Sequence, residues 1–349
     1  MIFAVWIPLL MPLLAVPAAR RLARSLPPRA AAWLLTGCAV ALAACTTTAL
    51  VLLLTAGALR LPQVAALGHL ALPLPGGDPA VSLPTAGAAA ALLTAAALGA
   101  VRHARRHHTA LRAARRATGA HPTAGDLCVL PDDAPDAYAL PGRPGRVVVT
   151  AGMLRALPPD EREALFAHER AHLAGRHHLF LLTTALAAAC HPLLRSLRAP
   201  LAYALERWAD ESAAARVGDR RLTARAIGRA ALATRPAPHR PRTLLAATAG
   251  PVPHRVAALL APEPSAAPAA RTTAAHGRRL LAATALLACL VTSAASAMDA
   301  ATDLHEVAAL GSFPTLSAFR CASLPAHVAG FPAVAPAAGR VRCAGLWVR

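Results

Sequence analysis

The chain contains no lysine: all 36 of its Lys+Arg residues are Arg. An S-x-x-K acylation site is therefore excluded. Aromatic residues make up only 3%, so there is no platform on which bases could stack, and no zinc-finger pattern occurs. The formal net charge of +19 is then weak evidence for a nucleic-acid partner, and no direct nucleic-acid binding is expected. Ala, Arg and Pro are unusually abundant, which reads as a bias of the genome. Seven Cys occur without a C-x-x-C pair, so zinc bound through paired cysteines is not expected.

What is abundant is apolar sequence. Hydrophobic residues make up 56% of the chain and the mean hydropathy is +0.45, which points to membrane spans. Residues 1–19 carry no charge, and Arg20, Arg21, Arg24 and Arg29 follow directly. A secretory signal peptide has its positive charge before the apolar run, so this reads as a first span with its N-terminus outside. Residues 31–58 form a second uncharged run. Residues 59–83 hold one Arg with several Pro and Gly and read as an external loop, in which His69 has no evident role. Residues 84–101 form a third, Ala-rich span. It ends at Arg102, Arg105, Arg106, Arg112, Arg115 and Arg116, a cytoplasmic flank by the positive-inside rule. His103, His107 and His108 lie in that flank. They are read as part of an amphipathic helix on anionic lipid rather than as a metal site. A fourth span covers 280–298 behind Arg278 and Arg279, leaving 299–349 outside. Cys321 and Cys343 are the only Cys of that tail, and a disulfide between them is expected in an oxidising compartment. The domains are thus a three-span membrane region (1–101), a cytoplasmic domain (102–277), a fourth transmembrane helix (278–298) and a short external tail (299–349).

Chemistry is concentrated in His168-Glu169-Arg170-Ala171-His172, an H-E-x-x-H motif. Pro158-Pro159-Asp160-Glu161 before it reads as a helix start, with Pro in the first turn and acidic residues at the positive end of the dipole. On a helix His168 and His172 are one turn apart and share a face, so two imidazoles can bind one zinc ion. Glu169 beside them can take a proton from a water attacking a carbonyl. The helix should end near Gly175. Upstream, 127–130, 137–140 and 146–150 read as strands, with Pro141–Gly145 as a turn. A sheet there either pairs with an extended substrate or only supports the helix.

A catalytic zinc usually has three protein ligands and one open position. After His172, on the cytoplasmic side, the carboxylates are Glu206, Asp210, Glu211, Asp219 and Glu263. Glu206 and Asp210 are i and i+4 on a helix expected over 200–217 with Gly218 as its C-cap. One would ligate while the other orients a ligand His, unless the pair is a solvated face with Asp210 bound to Arg207. The scarcity of alternatives favours Glu206. Residues 179–190 are uncharged but too short to cross a membrane, and His191-Pro192 interrupts them. If the segment crossed, Glu206 would be separated from the two His. The expectation is that 179–199 dips into the bilayer or lies under the catalytic domain and returns near His191-Pro192. A further short helix is expected near 254–260, between Pro-rich linkers.

His168–Leu173 with Arg176-His177-His178 resembles the integral-membrane metallopeptidases of the BlaR/MecR sensor-transducer kind. So do Tyr138–Gly142 leading to Arg146–Thr150, His191-Pro192-Leu193 and Glu206-x-x-Ala209-Asp210. The H-E-x-x-H and E-x-x-A-D elements are similar also to HtpX and CAAX-type membrane proteases; span order and His-Pro-Leu favour the former. The resemblance implies a mainly α membrane protein of about four spans. Its α+β zincin-like (gluzincin) domain would lie between spans three and four. It implies Zn2+ held by His168, His172 and Glu206, with Glu169 as general base and Asp210 behind the ligands. It departs from the family at His177, where Asp is common. It also lacks the external penicillin-binding domain and its lysine, so β-lactam sensing by that chemistry is excluded.

The reading is a membrane-embedded zinc endopeptidase in the cell membrane, acting on a protein or peptide. The resemblance suggests a cytoplasmic transcriptional repressor as substrate; housekeeping cleavage of membrane proteins fits the same chemistry. Tyr203 and His191 are the candidates for the oxyanion donor. The rival is a zinc-containing scaffold or sensor, whose structural site would be closed by a fourth ligand such as His177 or Asp210.

Overall fold

In the computed structural model of the chain, residues 2–67, 79–119, 121–234, 251–261 and 273–312 are described. The expected disulfide between Cys321 and Cys343 lies outside them. The described chain is mostly helical, with one small sheet.

The N-terminal run is two helices, α1 (Ile2–Leu10) and α2 (Pro12–Ala23), which meet at Met11. Pro12 has no N–H to offer the preceding turn, so the helical path bends there while Met11 N still donates to Ile7 O (2.9 Å). Helix α3 (Pro28–Ala58) begins with Pro at its first position. A short α4 (Pro62–Leu67) follows. Helix α5 runs unbroken from Pro79 to Gly119. Among the described residues, three helices are long and apolar enough to cross a membrane: Pro28–Ala58, Ala80–Gly119 and Arg279–Asp303. Their exposed faces carry large apolar side chains such as Trp33, Leu92, Leu98, Leu287 and Val291, the surface a lipid would cover. Several of their hydroxyls bond to the backbone one turn earlier, as where Thr47 Oγ1 donates to Ala43 O (2.8 Å) and Thr284 Oγ1 to Leu280 O (3.0 Å). Small residues bring α3 and α5 together. A Cβ on Gly57 would meet the Ala86 side chain and stand 2.9 Å from Ser82 O, the close approach that small residues permit between apolar helices.

The continuity of α5 changes one expectation. Residues 102–116 are not a separate helix laid on lipid. Beyond the apolar run the helix continues and Leu111 and Ala114 pack on the sheet beside Cys128, Tyr138, Leu140 and Val148. Residues at i and i+3 share a face, so this stripe finds an apolar partner and has no need of a membrane surface.

The sheet has four strands: β1 (Thr123–Ala124), β2 (Leu127–Leu130), β3 (Ala137–Leu140) and β4 (Arg146–Thr150), in the order β1-β2-β4-β3. β2 and β4 are parallel, Cys128 opposite Val148; β3 is antiparallel to β4, Tyr138 opposite Val148. Alternation sends Val148 toward α5, while Val147 and Val149 join Met153, Leu157, Leu165 and Phe166 on the other face. Met153 comes from α6 (Ala151–Ala156), capped by Thr150 Oγ1 accepting from Met153 N (3.2 Å), Leu157 from the link that follows it, and Leu165 and Phe166 from α7 (Pro159–Ala174). All four residues of the edge strand β3 are buried, so in this state the sheet supports α7.

Helix α8 (His177–Cys190) packs along α3 and α5. A 3-10 turn over Pro192–Leu197 reverses the chain, and α9 (Arg198–Val217) returns to pack on α7. The return is the hairpin expected of 179–199. Leu194, Leu197, Leu201 and Leu205 join Leu35, Leu42 and Phe180 in one core, which holds the turn against α3. Gly218 ends α9 with φ +78°, and Asp219 caps α10 (Arg220–Ala233) by accepting from Leu222 N (2.9 Å). Helix α11 (Val252–Leu260) packs on α10 and α9, and α12 (Thr273–Ser312) on α1, α2 and α3. α12 extends well past 298, where the fourth span was expected to end.

Candidate metal centre

Helix α7 is anchored at both ends. Pro158 enters extended, Pro159 opens the first turn, and Glu161 is buried and held by Arg229 (2.7 Å) from α10. At the other end Arg170 forms a two-point pair with Asp126 (2.7 and 2.8 Å) before β2. The face between these anchors carries His168, Glu169 and His172, which are 0%, 0% and 4% exposed. Helix α9 crosses that face and contributes Glu206 and Asp210, both 0% exposed.

His168 Nε2 and His172 Nε2 lie 3.0 Å apart. Glu206 completes the triangle, with Oε2 3.5 Å from His168 Nε2 and Oε1 3.7 Å from His172 Nε2. Ligand atoms of the three residues lie within 4.8 Å of one another, the one such grouping of three or more metal-ligating side chains among the described residues. The far nitrogens of both rings are turned outward. His168 Nδ1 is 3.0 Å from Asp210 Oδ1, and His172 Nδ1 is 2.7 Å from His177 Nδ1. A proton on each Nδ1 leaves a lone pair on each Nε2. Two lone pairs facing each other beside a carboxylate repel unless a cation or proton lies between them.

The local charge agrees. Glu169, Glu206 and Asp210 are fully buried with one guanidinium, that of Arg255. With the carboxylates ionised, three negative charges face one positive, and a dication would bring the cluster to neutrality. Burial disfavours a charged His168, but hydrogen bonding to Asp210 and Glu206 prevails and raises its pKa to about 9. Burial, with the charges of His168, His177 and Arg255, pushes His172 well below the usual range. Burial raises the Glu206 carboxyl. Burial alone would raise Asp210 as well, but its bonds to Arg255 and His168 hold it low. These residues therefore fit a divalent metal: a cation between the two Nε2 atoms would take the place of the proton that His168 otherwise carries, leaving two nitrogen donors and a buried carboxylate, with partners behind each His that fix its tautomer.

Arg255 was not foreseen. It comes from α11, is 0% exposed, and reaches Asp210 with Nε and Nη2 (2.8 and 2.6 Å) and Glu206 Oε2 with Nη1 (2.8 Å). The expected alternative partner of Asp210, Arg207, instead binds Glu211 (2.7 Å). His177 sits behind His172, against the Trp208 ring (centroids 4.6 Å apart). Burial keeps it neutral, with its pKa pushed down to about 3. Gly175 makes this position available, since a Cβ there would run into the His177 ring. His177 and Asp210 thus lie on the outer nitrogens of the two His and not on the inner side where a fourth ligand would close the site. His191, a candidate oxyanion donor, is at the α8–α9 turn with Nε2 3.2 Å from Leu9 O, engaged away from the triad. Tyr203 is partly buried on α9. His107 stacks on His178 (centroids 6.5 Å) and holds no metal grouping.

Residues 100–209 match the family model of Peptidase family M48. The match takes in the C-terminal half of α5, the sheet, α6, α7, α8 and α9 as far as Ala209, and so includes His168, Glu169, His172 and Glu206; it is consistent with a zinc metallopeptidase of that kind. No curated protein and no solved structure matches the chain significantly.

Proposed function

We propose that the chain is a membrane-embedded zinc endopeptidase, with His168, His172 and Glu206 as ligands and Glu169 as general base. The observation that carries this reading is the inward convergence of two Nε2 atoms and Glu206, while both Nδ1 atoms have partners behind them. A zinc ion held there supplies Lewis acidity to a peptide carbonyl and to a water. The remaining work belongs to the protein. Glu169, next to His168 on the buried face, takes a proton from the attacking water and hands it to the departing amine. Asp210 and His177 hold the two imidazoles in the tautomer that leaves Nε2 free. Arg255 offsets the charge of Glu206 and Asp210 and fixes both carboxylates in place.

Four spans are part of the proposal: α1–α2, α3, α5 and α12, with the peptidase domain between the last two on the cytoplasmic side. The Arg-rich ends at Arg20–Arg29 and Arg102–Arg116 support this orientation. The tail from 299 would then be outside. Cleavage of a cytoplasmic repressor in a signalling response rests on the family resemblance; the same chemistry serves quality control of membrane proteins. The test is metal removal. Purified protein incubated with a chelator should lose cleavage of an unstructured protein substrate, and one equivalent of zinc per chain should restore it. Cleavage that survives with less than about a tenth of an equivalent of zinc would reject the proposal.

A further inference from the structure

A cavity of about 550 Å³ lies between α3, α5 and the α8–α9 turn, and none of the metal-centre residues lines it. Its size is that of a small-molecule site. The two ends differ in chemistry. One wall is apolar, built from Leu9, Leu50, Leu92, Ala95 and Ala96. The other end gathers Arg102, His103, Arg106, Arg195 and Arg198, and no Asp or Glu lines the cavity. Leu92 and Arg106 are separated by about 21 Å along α5, at 1.5 Å per residue. The cationic end begins at Arg102, where the uncharged run of α5 stops. It therefore falls at the boundary between the hydrocarbon of a membrane and its headgroups.

Among the described residues, none of the four Arg side chains lies within 4.0 Å of a carboxylate; the Arg residues that do pair with one there are Arg155, Arg170, Arg207, Arg220, Arg225, Arg229 and Arg255. Four guanidinium groups around one mouth repel one another unless an anion sits among them, and their planar donors match phosphate oxygens. With no carboxylate in the lining, nothing there would receive the ammonium of a zwitterionic headgroup.

We propose that this cavity binds one anionic phospholipid. An acyl chain lies along the Leu92–Ala96 wall and the phosphate among Arg102, Arg106, Arg195 and Arg198. Arg195 belongs to the turn that brings α9 back and Arg198 opens α9, with Glu206 about two helical turns after it. A lipid held there ties the base of α9 to α5.

The test is native mass spectrometry of the full-length protein in detergent, titrated with phosphatidylglycerol or phosphatidylcholine of identical chains. The first phosphatidylglycerol should bind at least about tenfold more tightly. R195Q/R198Q should reduce it to the phosphatidylcholine level, whereas R195K/R198K should keep most of the preference because the charge stays. Ala96→Phe, which fills the apolar wall and leaves every Arg, should weaken both lipids. Equal binding of the two lipids by the unmodified protein would overturn the proposal. So would an equal loss in R20Q/R21Q, a pair outside the cavity. Displacement of the lipid by millimolar inorganic phosphate would overturn it in favour of a free-phosphate site.

Discussion

Glu169→Gln loses peptide cleavage by a factor of at least about 10²–10⁴, the usual contribution of a general base, and keeps one zinc per chain. The amide has nearly the shape of the carboxylate and leaves His168, His172 and Glu206 untouched. It cannot accept the proton of the attacking water. Glu169 is wholly buried and electrostatically coupled to Arg255, so the variant also removes one buried negative charge and should fold at least as well as the parent. Cleavage assays with zinc content measured on the same sample check this. Full activity in the variant would remove Glu169 from the mechanism.

Arg255→Met is the second large effect, and it acts on stability. The substitution keeps most of the apolar volume and removes the one guanidinium that, among the described residues, faces Asp210 and Glu206. Breaking a buried ion pair by deleting one partner typically costs about 3–5 kcal/mol, because the surviving charge is left uncompensated. The cost should be greatest without metal, when three carboxylates remain against no guanidinium, and smaller with zinc bound. The thermal midpoint in detergent should fall in both states, more in the metal-free one. An unchanged midpoint in the metal-free protein would mean that Arg255 is not the counter-charge of this centre.

Much of the site was legible because its signals are local. The strands at 127–130, 137–140 and 146–150 are bounded by turn residues and paired by β-branched Val147, Val148 and Val149. Helix α7 announces itself through Pro159 and the acidic first turn, and α9 through Gly218 at its end. The helical period placed His168 beside His172, and Glu206 beside Asp210. What joins the two pairs is the α8–α9 hairpin, and its signal was a contradiction: an apolar run too short to cross, broken by His191-Pro192, with ligands needed on both sides. Arg255 carried no such signal. It stands 45 residues after Asp210, beyond a Pro-rich stretch, and an Arg in a short helix normally reads as solvated. Only tertiary packing of α11 on α9 and α10 makes it a buried counter-charge. The position of His177 was equally out of reach, because its ring faces the back of His172 through a chain reversal at Gly175-Arg176, where Arg176 takes φ +49°. The run of α5 through residue 119 was missed for a different reason. The Arg cluster after residue 101 marks a membrane boundary, but it does not end a helix. α10 has a good N-cap in Asp219, but its buried stripe is mostly Ala, which gives little hydropathy signal.

The zinc-loaded protein examined by X-ray absorption at the zinc edge tests the central claim most directly. The arrangement of His168, His172 and Glu206 predicts two imidazole nitrogens at about 2.0–2.1 Å with the remaining positions filled by oxygen, and no sulfur. A sulfur shell, or three or more imidazoles around the ion, would contradict it.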